Sequence, residues 1–392
     1  MGATGYRELI RIPAVRWQAF TGLTAQVIQG AASAGVILVA RQHGYSLVLG
    51  GAVAAGFWIA GGIARPLQGR VIDRRGSATL TAACGIVNGA ALAGVVGLAA
   101  VHAPGAVLVV LGVFAGLSLA PVSTSMRIAW AAARSGSDPT AAYSLVYVIQ
   151  EAAVLTGPLL LAGFLAVGSP SLALLAVVVI ASSGTVAFAS SVRALDVRAP
   201  RSVDKASPVL RVRQMPLILL IAVLAGSVLG GIQVGAPVAA TAHHASYAAG
   251  LLLAAVSLGG ITGAAVYATV GWGAGPATRL LILLAGLTVA LGIVTLGHGL
   301  VLIGLLLAIA GLPLDAVFAT LSVLVDRHVP TRSAGEAFGY LSTGLASGQG
   351  MASAIAAALA QHHHDARVAF LVCVVGAAVA TTLVAAGSRL LR

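Results

Sequence analysis

Two acidic residues, Glu151 and Asp315, each interrupt a long apolar run, about eleven residues from its end. At about 1.5 Å per helical residue that is about 16 Å of depth. A carboxylate that deep in a bilayer costs about 2.5–3.5 kcal/mol, so such a group faces a cavity or a partner. Glu151 and Asp315 are therefore candidate proton carriers. Neutral polar residues accompany them. Tyr143, Tyr147 and Gln150 precede Glu151, Gln26 and Gln29 lie nearly one turn apart, and Gln233, Asn88, Ser342, Thr343 and Gln349 interrupt other apolar runs. Each can line a substrate cavity or bond a neighbouring helix, the latter worth about 0.6 kcal/mol. No Lys or Arg lies at the depth of the two acids; Arg65 and Arg127 are nearer the ends of their runs. Phosphates and dicarboxylates would want deep arginine forks, so such anions are disfavoured as cargo.

A second constellation is G-R-V-I-D-R-R-G-S, residues 69–77. Its glycines permit a tight turn and close helix approach. Asp73 suits a helix N-terminus, where a carboxylate is favoured. Arg70, Arg74 and Arg75 can anchor the segment and pair with Asp73. A third stretch, T-G-P-L-L-L-A-G at 156–163, places Gly157, Pro158 and Gly163 within an apolar run.

Other chemistry is missing from the sequence. It contains no G-x-x-x-x-G-K-[ST], and its single lysine, Lys205, sits in V-D-K-A-S. Neither H-E-x-x-H nor G-x-S-x-G occurs. Cys84 and Cys373 lie inside apolar runs and read as small buried hydrophobes. His243 with His244, and His362 with His363 and His364, read as solvated loop residues, with metal binding or pH sensing as the alternative. An ATP-driven pump or an enzyme is disfavoured, and no metal or cofactor is expected.

These residues must be positioned by helices in a membrane. Of 392 residues, 59% are hydrophobic and only 8% charged, with a mean hydropathy of +1.02. That is too little charge to solvate a soluble surface of this size. A spanning helix needs about 20 apolar residues. Twelve runs qualify: 14–39, 47–69, 77–101, 105–130, 140–167, 171–192, 215–241, 247–271, 277–297, 300–325, 335–360 and 367–388. They are continuous, without the period-two alternation of a barrel. The expectation is an all-α integral membrane protein of two six-helix pseudo-repeats, 1–192 and 215–392, joined by a linker at 193–214. Sliding the second half by 202 positions sets Tyr247 on Tyr45, Gly263 on Gly61 and Gly271 on Gly69.

An even number of spans puts both termini on one side. If that side is the cytoplasm, only Arg41 and Arg367 of the 22 basic residues fall elsewhere. This matches the excess of Lys and Arg in cytoplasmic loops. The net charge of +12 is thereby explained without nucleic acid. A multi-pass plasma-membrane protein is expected, a monomer whose partners are the lipid bilayer, a small molecule and protons.

Residues 69–77 resemble the loop motif of the major facilitator superfamily, with Gly69, Asp73, Arg74 and Gly76 matching and Ser77 and Ala78 replacing the final basic pair. Residues 156–163 resemble the Gly-Pro motif of exporters in that superfamily, without the doubled glycine. The arginine-rich style, one Lys against 21 Arg, resembles actinobacterial efflux-type, proton-antiporter members. The resemblance implies a twelve-helix transporter working by alternating access. It implies that Gly69, Asp73, Arg74 and Gly76 form a conformational latch. It also implies that the first, fourth, seventh and tenth spans line the cavity, placing Gln26, Gln29, Gln233 and Asp315 there. Proton-coupled export of cationic, amphiphilic or polar neutral molecules is expected. Import, or a sugar or metabolite as cargo, is the alternative; a non-transporting receptor or a channel is more distant.

Overall fold

The computed structural model describes residues 9–132, 140–194, 209–245, 248–270, 272–363 and 365–391. Arg7, Arg392, Lys205, His364 and most of the 193–214 linker lie outside the described residues, as do Tyr247 and Gly271 of the repeat overlay. Among the described residues there is no strand.

The helices are α1 Pro13–Gln42, α2 Leu47–Arg75, α3 Ser77–Ala100, α4 Gly105–Leu117, α5 Val122–Ala132, α6 Thr140–Leu165 and α7 Pro170–Ala194. After the linker come α8 Met215–Ala242, α9 Ala248–Thr269, α10 Pro276–Val294, α11 Leu300–His328, α12 Ala334–His363 and α13 Ala366–Ala386. Local sequence explains the ends. Pro13 opens α1 at its first position, where a missing N–H costs nothing. Ser46 caps α2 by accepting from Leu49 N at 3.2 Å. Gly76, at φ +81°, ends α2 and starts α3 in a single residue, a conformation that a side chain rarely adopts.

The fourth span is broken. Its expected run, 105–130, is realised as α4 and α5 with a break at residues 118–121. Pro121 supplies no N–H, and the freed carbonyls need other donors. Gln68 Nε2 reaches Leu117 O at 3.0 Å and Leu119 O at 3.1 Å, and Asn88 Nδ2 reaches Ala115 O at 2.7 Å. The polar stretch after the break is buried: Ser123, Thr124, Ser125 and Arg127 are each no more than 3% exposed.

The helix packing repeats between the halves. In the first half α1 packs on α6 and α7, and α2 on α4; in the second α8 packs on α12 and α13, and α9 on α11. One buried apolar core is built almost wholly from α8 to α13, and two others from the first seven helices. Large apolar side chains such as Ile59, Leu159, Val179, Leu251 and Val301 face outward. Such a surface belongs against lipid tails. Ten of the spans are long and apolar enough to cross a membrane. The remaining long helices, α2 and α12, pack against one another across the two halves.

Candidate functional site

The two deep acids, 164 residues apart in sequence, fall within one another's electrostatic field. Glu151 projects from α6 and meets the Ser257 hydroxyl of α9. Asp315, on α11 two residues after Pro313, lies within the electrostatic field of Glu151. Gly260 of α9 makes the space: a Cβ there would come within 2.5 Å of Asp315 Oδ2. Asp315 is 2% exposed and its Oδ2 has no hydrogen-bond partner. A buried acceptor without a donor is costly, and a proton can relieve it.

A second polar cluster lies closer to the side that carries α7's end and α8's start, called the linker side below. The break in span four carries Arg127 inward. Its Nη2 donates to Gln150 Oε1 at 3.2 Å, and its guanidinium stands over the Tyr147 ring at 4.9 Å and the Phe338 ring at 5.7 Å. Tyr147 packs on Phe318 and its hydroxyl lies 3.4 Å from Ser322 Oγ. Tyr143 packs on Phe338, with its hydroxyl beside Asp326. Residues of the first half are thus built into the core of the second. Place along the helix suggested that Arg127 was peripheral; the break and the aromatic partners make it buried.

The third cluster closes the linker side. The second helix does not end with its apolar run at 69; α2 extends to Arg75 and carries Asp73 on its last turn. Asp73 Oδ1 accepts from Gly335 N at 2.7 Å and Oδ2 from Glu336 N at 2.8 Å. These are first-turn N–H groups of α12, which have no intrahelical acceptor. The carboxylate therefore caps a helix of the opposite half, at its positive end. Arg70 pairs with Glu336 rather than with Asp73: Nε donates to Glu336 Oε1 at 2.9 Å, and Nη2 donates to Tyr340 Oη at 3.2 Å. Arg74 and Arg75 are exposed. Gly69 is backed directly onto the Gly335 carbonyl, so a side chain at 69 would collide with backbone. Thr343 Oγ1 donates to Gly62 O at 2.9 Å, and Arg279 Nη1 to Thr140 Oγ1 at 3.2 Å. Among the described residues, these hydrogen bonds between the halves lie between the bilayer middle and the linker side. The molecule is closed there.

The expected cavity residues divide. Tyr147 and Gln150 join Arg127. Gln26 is buried and saturated, with Nε2 donating to Gly22 O at 2.9 Å and Oε1 accepting from Ser123 at 2.6 Å. Gln29 faces a small pocket inside the first half with Asn88, Ser182 and Thr185. Gln233 is exposed. Gly157 packs against the Val27 carbonyl of α1, and Pro158 lies against Gly30, so this pair sets α6 on α1; Gly163 faces open space. Glu336, Gly335, Ser257 and Gly260 were not foreseen. A signal existed for the first: Ser333-x-x-Glu336 reads as a helix start, though not as a docking point for another half.

The sequence matches the Major Facilitator Superfamily over residues 18–353. The chain belongs to that superfamily, and with this fold it is a multi-pass membrane transporter rather than an enzyme. The fold is similar to a bacterial homologue of the iron transporter ferroportin in its outward-facing state, at a TM-score of 0.74 and 16% identity, covering 95% of this chain and 99% of that one. It is similar to the human organic anion transporter MFSD10 (TETRAN), at 0.73 and 17%, covering 97% and 99%. It is also similar to the transporter FucP in its outward conformation, at 0.68 and 12%, covering 95% and 98%. No curated protein sequence matches the chain.

Proposed function

We propose that the protein is a proton-coupled exporter of small organic molecules, cationic, amphiphilic or polar neutral, working by alternating access. The observation that carries this is the meeting of Glu151 and Asp315. Two carboxyls in one another's field, Asp315 buried and Glu151 half-buried, repel when both are charged, and a proton on either removes the repulsion. Energy must then come from an ion gradient, and these acids are the groups through which a proton cycle would run. A proton taken from outside and a bound cargo would each bias the same conformational equilibrium in opposite directions, which is how antiport is coupled. The direction leans on the exporter-like Gly157-Pro158 stretch.

In this reading residues 1–192 and 215–392 rock as two units about the 193–214 linker, as a monomer in the plasma membrane. The linker side is cytoplasmic, and the structure is then the state open to the outside. Gly69, Asp73, Arg74 and Gly76 belong to the latch, with Asp73 its direct contact.

The test is transport in proteoliposomes under an imposed pH gradient, comparing wild type with Glu151→Gln and Asp315→Asn. Gradient-driven uphill movement should fall well below wild type in both variants, while downhill exchange of substrate persists. Uphill movement equal to wild type in both would overturn the proton role.

A further inference from the structure

Arg127 is enclosed in protein at 2% exposure, yet two of its three guanidinium nitrogens, Nε and Nη1, have no hydrogen-bond partner. Arg65 of α2 stands close enough that the two charges oppose one another. Neither is ion-paired: among the described residues the one salt bridge is Arg70–Glu336. A buried cation with orphan N–H groups beside a second cation is an expensive arrangement. The contact with the Tyr147 ring offsets only part of what a buried unpaired charge costs. The Asp326 carboxyl is turned to the Tyr143 hydroxyl and forms no ion pair with Arg127, so the free N–H groups have no negatively charged oxygen to donate to.

We propose that Arg127, assisted by Arg65, holds the carboxylate of an amphiphilic organic cargo that enters when the halves part on the linker side, its apolar body then lying between Tyr147 of the first half and Phe338 of the second. The chemistry selects among the cargo classes. The free N–H groups and the two positive charges exclude a simple cation. The aromatic walls suit a carboxylate on an apolar body, and they leave the remaining oxygens of an inorganic phosphate without donors. Gln150 accepts from Nη2 and restrains the guanidinium, while Nε and Nη1 stay free. The assignment rests on the transporter reading above but not on its proton step.

The experiment titrates sodium benzoate, sodium phosphate and sodium chloride, at matched ionic strength and fixed pH, into the purified full chain in lipid nanodiscs. The unfolding temperature is followed. Benzoate should raise it saturably and chloride should not. Arg127→Gln should weaken the apparent benzoate affinity about tenfold or more, the expected loss for hydrogen bonds to a charged group. Arg65→Gln should weaken it too, and it carries the same test if Arg127→Gln does not fold. Arg41→Gln, exposed on the other side, should match wild type. No saturable benzoate shift, an equal shift in both arginine variants, or a shift with phosphate alone would each overturn the assignment. Benzoate binding through Arg127 without gradient-driven transport would uphold it while sinking the proton step, so the two failures are separable.

Discussion

Asp73 and Glu336 stand 263 residues apart in sequence and are joined in both directions: Asp73 Oδ2 accepts from Glu336 N at 2.8 Å, and Glu336 Oε1 accepts from Arg70, less than one turn before Asp73, at 2.9 Å. The start of α12 is therefore both capped and clamped by the end of α2. Neither contact can survive separation of the two halves on this side.

Asp73→Asn leaves one acceptor oxygen for two N–H groups, so one first-turn donor of α12 loses its partner. Loss of a helix cap costs about 0.5–2 kcal/mol. That is about a 2- to 30-fold shift from the closed toward the open linker side. Spin labels at the exposed positions Arg75 and Arg332 would report it as growth of a longer-distance population. An unchanged distance distribution would mean that the cap does not hold the gate.

The same carboxyl predicts a pH dependence. Asp73 lies beyond the apolar run of its helix. Burial pushes its carboxyl up, the N–H groups of Glu336 and Gly335 pull it down, and the Glu336 carboxylate adds a smaller push, leaving it at about 6 against 3.8. On opening, the carboxyl meets water and returns toward 3.8. The closed state thus binds more protons between these values. Acidification should raise the closed fraction as pH falls through about 6, with no further gain below about 4. Asp73→Asn should flatten the response in the same spin-label measurement. A closed fraction that drops on acidification would contradict this.

Gly69 and Gly335 set how closely the gate can shut. A Cβ at Gly69 would meet the Gly335 carbonyl and the Glu336 N at 2.7 Å, backbone atoms that cannot swing aside. Gly69→Ala should therefore populate the state open on the linker side while leaving expression near wild type, because the collision exists only in the closed state. Alkylation of a cysteine placed at Thr343, which bonds Gly62 O across the gate, would read the change. Equal alkylation rates in Gly69→Ala and its parent would show that the helices find another way to close.

The spans were legible because a bilayer leaves no water for backbone groups, so a long apolar run can only be a helix. Observed ends mostly fall within a few residues of those read from the runs. The second span was the exception: R-V-I-D-R-R is polar enough to end an apolar run, yet nothing in it stops a helix before Gly76. The break in span four was hidden for the opposite reason. Pro121 is visible in sequence, but the donors that make a break tolerable, Gln68 and Asn88, come from two other helices. Glu151 and Asp315 were conspicuous as deep acids, whereas their meeting depends on Gly260 leaving room between helices. Arg127 looked peripheral because depth along a helix says nothing about what encloses it.

Topology yields a prediction independent of the gate. With the termini and linker in the cytoplasm, cysteines at His102 and His298 should react with an impermeant maleimide added to intact cells, and one at Pro200 should not. Labelling at Pro200 from outside would reverse the orientation and, with it, the state that the closed linker side represents.

The last prediction concerns the carboxyl pair as a unit. If Glu151 and Asp315 served separate purposes, the effects of Glu151→Gln and Asp315→Asn on transport would multiply in the double variant. They share one field, and neutralising either removes the repulsion that makes binding a proton favourable. The double variant should therefore lose no more gradient-driven transport than the worse single variant. The coupling energy between the two sites should be on the order of 1 kcal/mol or more, as for residues in direct interaction. Gly260→Ser offers a check that leaves both acids in place. Its Cβ would press on Asp315 Oδ2 at 2.5 Å and on Cγ at 3.0 Å, while its hydroxyl brings a donor to the oxygen that lacks one. Moving the carboxyl away from Glu151 and supplying that hydrogen bond should weaken coupling of transport to the pH gradient, with substrate binding less affected. Multiplicative losses in the double variant, together with normal coupling in Gly260→Ser, would mean that the two acids act apart.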